Sequence, residues 1–306
     1  MNRWRTDNLT LLVDETLLST ANGYIGLRAN FEEGYDDDFD TIRGTYINGF
    51  YELVDLTYAE SAYGFPKTAQ KIVNVIDAQS ITIMVDGEMF SLFSGEIISV
   101  ERLLNIAEGY ILRRVEWRSP KGHHLIIEIK RMTSFEQLEL VLIDYSISSI
   151  DFTGTISIAS SLNGDVYNYT DENDPRVAKG HTKLLYVDSL KIKGSQGTIV
   201  AKTKRSNLKM ATTFGHDIDM TYTKKGNSIE AKAEVDIKAG ETFAFTKYAI
   251  YTDSIRHRGP AKDGQKLLPH AIVKGKIYWF ATQKAYLNQF WKYAHIDILG
   301  DRFVEE

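Results

Sequence analysis

The sequence has 306 residues, 43% of them hydrophobic, with a formal net charge of −5 and no cysteine. This length and apolar content are enough to build a sizeable core, so we predict a globular protein. The lysines and arginines form no dense basic run, which argues against nucleic acid or an anionic membrane as a partner. The lack of cysteine excludes disulfides, thiolate metal sites and cysteine nucleophiles.

The N-terminus does not resemble a secretory signal, and no later segment resembles a membrane span. Residues 1–7 lack the apolar core of a secretory signal. No later segment approaches the roughly 20 apolar residues that a membrane-spanning helix requires. We therefore expect a soluble cytoplasmic protein.

The first motif along the chain is NGYIGLRANF, residues 22–31, in which Gly23 and Gly26 lie three positions apart. A phosphate-binding loop needs a preceding strand, a following helix, and a third glycine or a Gly-Lys-Ser/Thr ending. None of these is present, and an apolar/polar alternation follows instead, which is typical of a half-buried strand.

We predict that Asn22 and Gly23 turn the chain and that Gly26 allows close sheet packing. One face of the early strand should then carry Leu27, Ala29 and Phe31, and the other Arg28 and Asn30.

Two features have the residue types of a metal site, and we expect neither to bind a metal. The acidic run at residues 36–40 lacks the glycine and the terminal glutamate of a calcium loop, which favours a solvated loop. His123 and His124 are adjacent, so on a strand they point to opposite faces, one into the core and one into solvent. The other histidines are scattered: His181, His216, His257, His270 and His295.

From about residue 70 to 255 the pattern alternates with period two and is broken by turn residues. The clearest hairpin runs from Tyr110 to Met132 around the turn at residues 119–122. Further turns are predicted at residues 86–87, 195–197 and 239–240. Many short, closely spaced strands favour a mainly β fold, a large antiparallel sandwich of two sheets, over residues 1–258.

The remaining residues, 259–306, have a helical pattern, and we predict a helix from Leu267 to Ala294. Its apolar stripe would face the sandwich or another domain. The stripe is formed by residues at spacings of three and four: Ile277, Phe280, Ala281, Lys284, Leu287, Phe290 and Trp291.

The polar loop at residues 162–177 is the first candidate for ligand binding, because binding residues concentrate on loops held by a rigid sheet. Sugar recognition uses planar polar groups and an aromatic platform, and this loop supplies both. The candidates are Asn163, Asp165, Tyr167, Asn168 and Tyr169. An ordinary surface loop is the alternative.

Residues 44–52 offer a second possible sugar-contacting edge through Tyr46 and Asn48, although such aromatics more often belong to a core or an interface. A glycosidic reaction needs two carboxylates placed across the scissile bond. The pattern selects no such pair among the 41 acidic residues, so no catalytic residue is assigned.

Three segments together resemble the N-terminal part of glycoside hydrolase family 65, the family of maltose, trehalose, kojibiose and nigerose phosphorylases. They are ETLLSTANGYIGLRANFEEGY at 15–35, RGTYINGFYE at 43–52 and FWKYAHIDILGD at 290–301. The resemblance runs in order along nearly the whole chain. Ala29 replaces a glycine of the family pattern, a conservative change in a strand.

The resemblance implies a supersandwich of the galactose mutarotase-like kind, then a helical linker at 259–306, then an (α/α)6 barrel that would begin near the last residues. In that family the general acid and the phosphate-binding residues lie in the barrel. The reaction implied for the longer protein is inverting phosphorolysis, in which inorganic phosphate is a co-substrate and no cofactor is needed.

The implied partners of the β domain are its own catalytic barrel, an α-linked glucose disaccharide and a second copy of the protein in a homodimer. The domain would contribute a loop near the active-site mouth. Two alternatives stay open: a stand-alone carbohydrate-binding module, and an epimerase of the mutarotase type that uses histidines and a carboxylate.

Overall fold

The structure of the chain, a computed structural model, describes residues 8–36, 38–39, 41–56, 63–170, 183–296 and 300. Within these residues the chain forms two helices and seventeen strands. Their bounds are α1 Asn8–Leu17, β1 Thr20–Ala21, β2 Ile25–Leu27, β3 Thr45–Asp55, β4 Thr68–Asn74, β5 Ile81–Val85, β6 Glu88–Met89, β7 Glu96–Asn105, β8 Tyr110–Arg118, β9 His124–Thr133, β10 Leu140–Ser149, β11 Gly154–Asn163, β12 Tyr186–Lys193, β13 Gln196–Lys202, β14 Lys209–His216, β15 Thr221–Lys225, β16 Ser228–Ile237, β17 Thr242–Asp253 and α2 Pro260–Ala294.

The strands form three antiparallel sheets. The largest has eight strands in the order β12-β13-β14-β17-β10-β9-β8-β7, another has five in the order β15-β16-β11-β5-β6, and the third has four in the order β1-β2-β3-β4. A bridge joins Asp77, in the connection from β4 to β5, to Asn163 of β11, and each backbone amide donates to the other's carbonyl, at 2.9 and 2.8 Å. The two smaller sheets together cover the large one, so the predicted sandwich is confirmed.

The core lies between these layers and divides into two clusters. One cluster joins the four-stranded sheet to β13, β14 and β17, and the other joins the five-stranded sheet to β8, β9 and β10. Strand β8 shows how the sequence directs this packing, since Val115 and Trp117 are fully buried whereas Arg114 and Arg118 on the other face are exposed. Period-two alternation therefore places one apolar face of the large sheet against the opposing layer.

The predicted hairpins around residues 86–87, 119–122 and 195–197 are present. The turn at residues 239–240 joins β16 to β17, which lie in different sheets and form no hairpin, contrary to prediction. Strands β8 and β9 pair from Arg118 and His124 onward, and the turn between them carries Gly122 at a φ of 95°. The turn between β12 and β13 lies one residue earlier than predicted, because Lys193 pairs with Gln196 around Gly194, which takes a φ of 57°.

The opening motif is a short hairpin of β1 and β2. Gly23 has a φ of 84°, so the predicted turn is confirmed. The prediction for Gly26 was wrong, because an added Cβ there would meet only the Ala21 Cβ, at an ordinary 3.7 Å. The predicted longer strand was also wrong: β2 ends at Leu27, and Asn30 is as buried as the apolar residues beside it. Asn30 is buried because its amide donates to the buried Glu15 carboxylate at 2.8 Å.

Helix α2 covers the outer face of the eight-stranded sheet. It begins at Pro260, earlier than predicted, and is interrupted at Gly275, whose φ of 75° and ψ of 162° are not helical. Most of the predicted stripe is partly or fully exposed, with Ile277 at 82% and Phe290 at 48%. The buried face carries a polar residue among apolar ones, which an apolar pattern does not register: Leu268, Ala271, Trp279, Gln283 and Leu287. In the part of the chain that the structure describes, neither helix is long and apolar enough to span a bilayer.

Candidate functional site

A cavity of about 300 Å³ opens where the two smaller sheets meet. It lies between the approach to β3 at residues 41–45 and the segment after β11 at residues 163–169. All five residues predicted from the polar loop line it: Asn163, Asp165, Tyr167, Asn168 and Tyr169. The rest of that loop, residues 171–177, lies outside the described residues.

Side chains in the segment after β11 alternate between exposed and buried, as in an extended chain. Asp165, Tyr167 and Tyr169 are exposed, whereas Val166 and Asn168 between them are buried. Alternation therefore places one carboxylate and two aromatic rings on the same, exposed side of the segment, and all three residues line the cavity.

Gly164 sets where this segment leaves the sheet. A Cβ at this position would lie 2.5 Å from a methyl group of Val187 and 2.8 Å from the carbonyl oxygen of Asn227. The Gly164 amide also donates to that carbonyl, at 3.0 Å. Only glycine allows this close approach without displacing a neighbour.

Two amide side chains fasten the segment to the four-stranded sheet. Asn168 accepts from the Asn74 amide at 3.0 Å and donates to the Ile72 carbonyl at 2.7 Å. Asn74 donates in return to the carbonyls of Tyr167 at 2.8 Å and Arg43 at 3.0 Å. Asn168 is thus a positioning residue, because both ends of its amide are engaged by backbone groups.

Asn163 shapes the start of the same segment. Its side-chain oxygen accepts from the Asp165 amide at 2.9 Å and from the Ser228 hydroxyl at 3.0 Å. Its backbone forms the bridge to Asp77, in the connection between β4 and β5. Asn163 is therefore also a positioning residue, which holds its neighbours in place.

An ion pair forms the cavity floor. The Arg43 Nε donates to Asp77 at 2.8 Å, and the guanidinium also donates to the Phe31 carbonyl at 2.8 Å and the Ser80 hydroxyl at 3.0 Å. Burial alone would raise the pKa of Asp77, but the Arg43 guanidinium and the Gln79 amide lower it below its usual value. The carboxylate therefore stays charged at neutral pH.

The rim is more open than the floor. The side chains of Tyr167 and Tyr169 are 50% and 57% exposed. Lys183 contacts the Asp165 carboxylate, and its ammonium lies 4.8 Å from the centre of the Tyr167 ring. The site thus combines a rigid polar floor with an accessible aromatic rim.

The two other predicted residues, Tyr46 and Asn48, do not line this cavity. The Tyr46 ring is partly buried and packs against Gly44. Asn48 donates to the Gly23 carbonyl at 3.0 Å, and its own carbonyl accepts from Arg256 at 2.6 Å. Asn48 therefore fastens the β1–β2 turn to the segment after β17.

Sequence reasoning missed Arg43, Asn74 and Asp77 as cavity residues. They lie in or beside strands whose pattern is apolar, and 34 positions separate the two members of the ion pair. No local spacing relates them. The one available signal was the charged Arg43 directly before the GTYINGFYE segment.

The histidines are dispersed. Neither His123 nor His124 is in the core, contrary to prediction; both are partly exposed and contact Asp86 and Glu116 respectively. This follows from their place at the mouth of a hairpin, where both faces of the strand reach solvent. Across the described ranges, no three histidine, aspartate or glutamate side chains are grouped to hold a metal. His181 lies outside those ranges, as do Asp37 and Asp40 of the acidic run.

Two further histidines take part in separate hydrogen-bond sets. His216 is buried between the Tyr222 hydroxyl and the Ser160 hydroxyl, each at 2.9 Å. Burial, followed by the nearby Lys247 ammonium, lowers its pKa well below the usual value. His257 contacts Glu139 at 3.1 Å.

Comparison with known proteins relates most of the chain to one family. Residues 4–290 match the model of the glycosyl hydrolase family 65 N-terminal domain. The chain is 42% identical over 303 residues to an α,α-trehalose phosphorylase of Geobacillus stearothermophilus, and 37% identical over 309 residues to one of Thermoanaerobacter brockii. These alignments cover 97% and 96% of this chain but only 39% of each relative.

A solved structure described as a kojibiose phosphorylase from the human microbiome has the same fold. It superposes with a TM-score of 0.82 at 20% identity, over 94% of this chain and 37% of the other. On the family match and these relatives, the chain belongs to glycosyl hydrolase family 65 and corresponds to its N-terminal domain.

Proposed function

We propose that this chain is the non-catalytic N-terminal domain of an inverting phosphorylase that cleaves α,α-trehalose with inorganic phosphate. The observation that carries the proposal is the pair of alignments with trehalose phosphorylases, which cover nearly all of this chain and 39% of each relative. The remaining part of such a protein would supply the acid that protonates the glycosidic oxygen and would position phosphate for attack from the opposite face. We also propose that the full-length protein is a homodimer and is located in the cytoplasm.

The end of helix α2 supports a role in docking the rest of the protein. Beyond Leu287 most residues of the helix are exposed, and Phe290 and Tyr293 are 48% and 90% exposed. With Tyr286 they follow the spacing i, i+4, i+7, which places three aromatic rings along one stripe. Exposed apolar stripes of this kind mark interaction surfaces. We assign this aromatic stripe to contact with the catalytic domain.

Fragment complementation tests the proposal. The 306-residue chain would be mixed with the separately produced remainder of the Geobacillus relative, and phosphate-dependent release of glucose 1-phosphate from trehalose would be measured. Neither part alone should release it, and the mixture should. Release by the 306-residue chain alone would contradict the proposal, as would anomer interconversion above the buffer rate, which would favour the mutarotase-type alternative.

A further inference from the structure

We propose that the cavity beside β11 binds one pyranose ring of a neutral α-glucoside, held against the exposed rings of Tyr167 and Tyr169. This would be a sugar site on the sandwich itself. It goes beyond the proposed function, which supplies only the choice of trehalose as one of the probes.

The size of the cavity limits its occupant. About 300 Å³ is near the lower end of the range for small-molecule sites. The cavity therefore suits one or two sugar rings better than a long glucan. Aromatic rings that are half exposed on the rim supply apolar faces for the C–H face of such a ring, at little cost in side-chain entropy.

The charges of the site favour a neutral ligand over phosphate. Arg43 is paired with Asp77 on the floor, and Lys183 is paired with Asp165 at the rim. Each cation thus faces an anion, and the two pairs cancel. A phosphate group would have to compete with two resident carboxylates, whereas sugar hydroxyls can donate to carboxylates and accept from cations at once.

The site is built before any ligand arrives. Gly164 fixes the exit from β11, and Asn168 and Asn74 tie the backbone of the segment to the four-stranded sheet. The tyrosines therefore project from a backbone that is already held in place. Binding at such a site loses little free energy to loop ordering.

Calorimetric titration of the 306-residue chain with trehalose, maltose and inorganic phosphate tests the inference. We expect the sugars to bind with a dissociation constant at or below about 1 mM, and phosphate not to bind. Tyr167→Ala and Tyr169→Ala should each weaken sugar binding at least about tenfold, since each removes an aromatic anchor. Asp165→Asn should weaken it by a smaller factor.

Tyr293→Ala on helix α2 is the control, because it removes an even more exposed tyrosine from another surface. It should leave sugar binding unchanged. All the substituted side chains are exposed, so thermal unfolding should show that each variant folds. The inference would be overturned if Tyr167→Ala and Tyr169→Ala bound sugar as tightly as the parent chain. It would also be overturned if the parent chain bound no sugar at about 10 mM, or bound phosphate in preference to sugar. These outcomes do not depend on phosphorolysis, so the inference and the proposed function fail separately.

Discussion

Asn22 gives the opening motif, residues 22–31, a structural role. Its side-chain oxygen accepts from the amides of Tyr24 at 3.0 Å and Ile25 at 2.8 Å. Its nitrogen donates to the carbonyls of Ser134 at 2.7 Å and Leu138 at 2.9 Å. The turn that resembles a phosphate loop is thus closed on itself and fastened to the connection between β9 and β10.

Asn22→Ala should lower the free energy of unfolding by about 2–4 kcal/mol, because it leaves several buried backbone groups without partners. Urea unfolding measures the change. Asn48→Ala in the same region loses one exposed side-chain bond, to Gly23, and should cost about 0.5–1 kcal/mol. Equal effects of the two substitutions would contradict the role assigned to Asn22.

Replacing glycine by alanine should affect the stability of the chain differently at different positions. Gly164→Ala should lower the free energy of unfolding by about 1–3 kcal/mol, since its Cβ would overlap Val187 and the Asn227 carbonyl. Gly26→Ala meets only ordinary contacts and should change stability by less than about 0.5 kcal/mol. Thermal or urea unfolding of both variants measures the difference, and a larger loss at Gly26 would refute this assignment.

Lys247 is a buried cation inside the sandwich. Its ammonium donates to the carbonyls of Ser80 at 3.1 Å and Ser161 at 2.8 Å. Burial lowers its pKa from 10.5 to about 7. Above pH 7 the unfolded chain therefore binds a proton at this position that the folded chain releases.

This difference predicts that stability rises with pH between about 7 and 9, with a slope that approaches 1.4 kcal/mol per pH unit. Below pH 7 the lysine is charged in both states, so the cost of burying the charge is present in full. Lys247→Met should flatten this rise, and Lys191→Met, at an exposed position of β12, should not. Urea unfolding at pH 7, 8 and 9 measures the slopes. An unchanged slope in Lys247→Met would contradict the prediction.

At the residue scale, sequence analysis located the exposed side chains of the cavity but not the groups beneath them. Tyr167 and Tyr169 stand in a polar loop, where aromatic residues attract notice. Arg43 precedes β3 and Asp77 follows β4, so the two residues form an ion pair only in the folded chain. Long-range pairing of this kind leaves no periodic trace in a single sequence.

At the element scale, helix α2 is organised around two buried residues, Trp279 and Gln283. Gln283 donates to the carbonyls of Gly109 and Thr133, both at 3.1 Å, and accepts from the Phe135 amide at 2.9 Å. It therefore satisfies backbone groups at the ends of two sheet connections. A search for apolar spacing passes over such a residue, which is why the predicted stripe lay on a different face of the helix.

Trp279 carries much of the packing of this helix. It is fully buried, and its indole nitrogen donates to the Ala271 carbonyl at 2.8 Å, across the interruption at Gly275. Trp279→Ala should destabilise the docked helix by about 3–5 kcal/mol. Tyr293→Ala, near the exposed end of the same helix, should change stability by less than about 0.5 kcal/mol. Hydrogen exchange of the α2 amides measures both, and unaltered protection in Trp279→Ala would contradict this account.

The strands were more predictable than the helix. The hairpins around residues 86–87, 119–122 and 194–195 each have a turn with glycine or proline and arms with period-two alternation, so the local signal sufficed. The division of the second layer into two sheets had no local signal. It depends on where β4 ends and on the bridge between Asp77 and Asn163.

At the scale of the whole molecule, a buried ionic network joins the N-terminal segment to the large sheet. Glu32 contacts Arg113 at 2.7 Å and Arg131 at 3.2 Å, and all three side chains are at least 95% buried. Burial would raise the pKa of Glu32, but the two guanidiniums lower it. The NFEE residues that carry the family resemblance, residues 30–33, thus have a structural role in the sandwich.

The proposal that this domain is non-catalytic and supports a separate catalytic domain can be tested in one protein. A chimera would carry these 306 residues in place of the matching N-terminal 39% of the Geobacillus trehalose phosphorylase. The measurement is phosphate-dependent release of glucose 1-phosphate from trehalose by the chimera and by the 306-residue chain alone. The account predicts release by the chimera and none by the chain. Release by the chain alone, or a folded chimera that does not cleave trehalose, would contradict it.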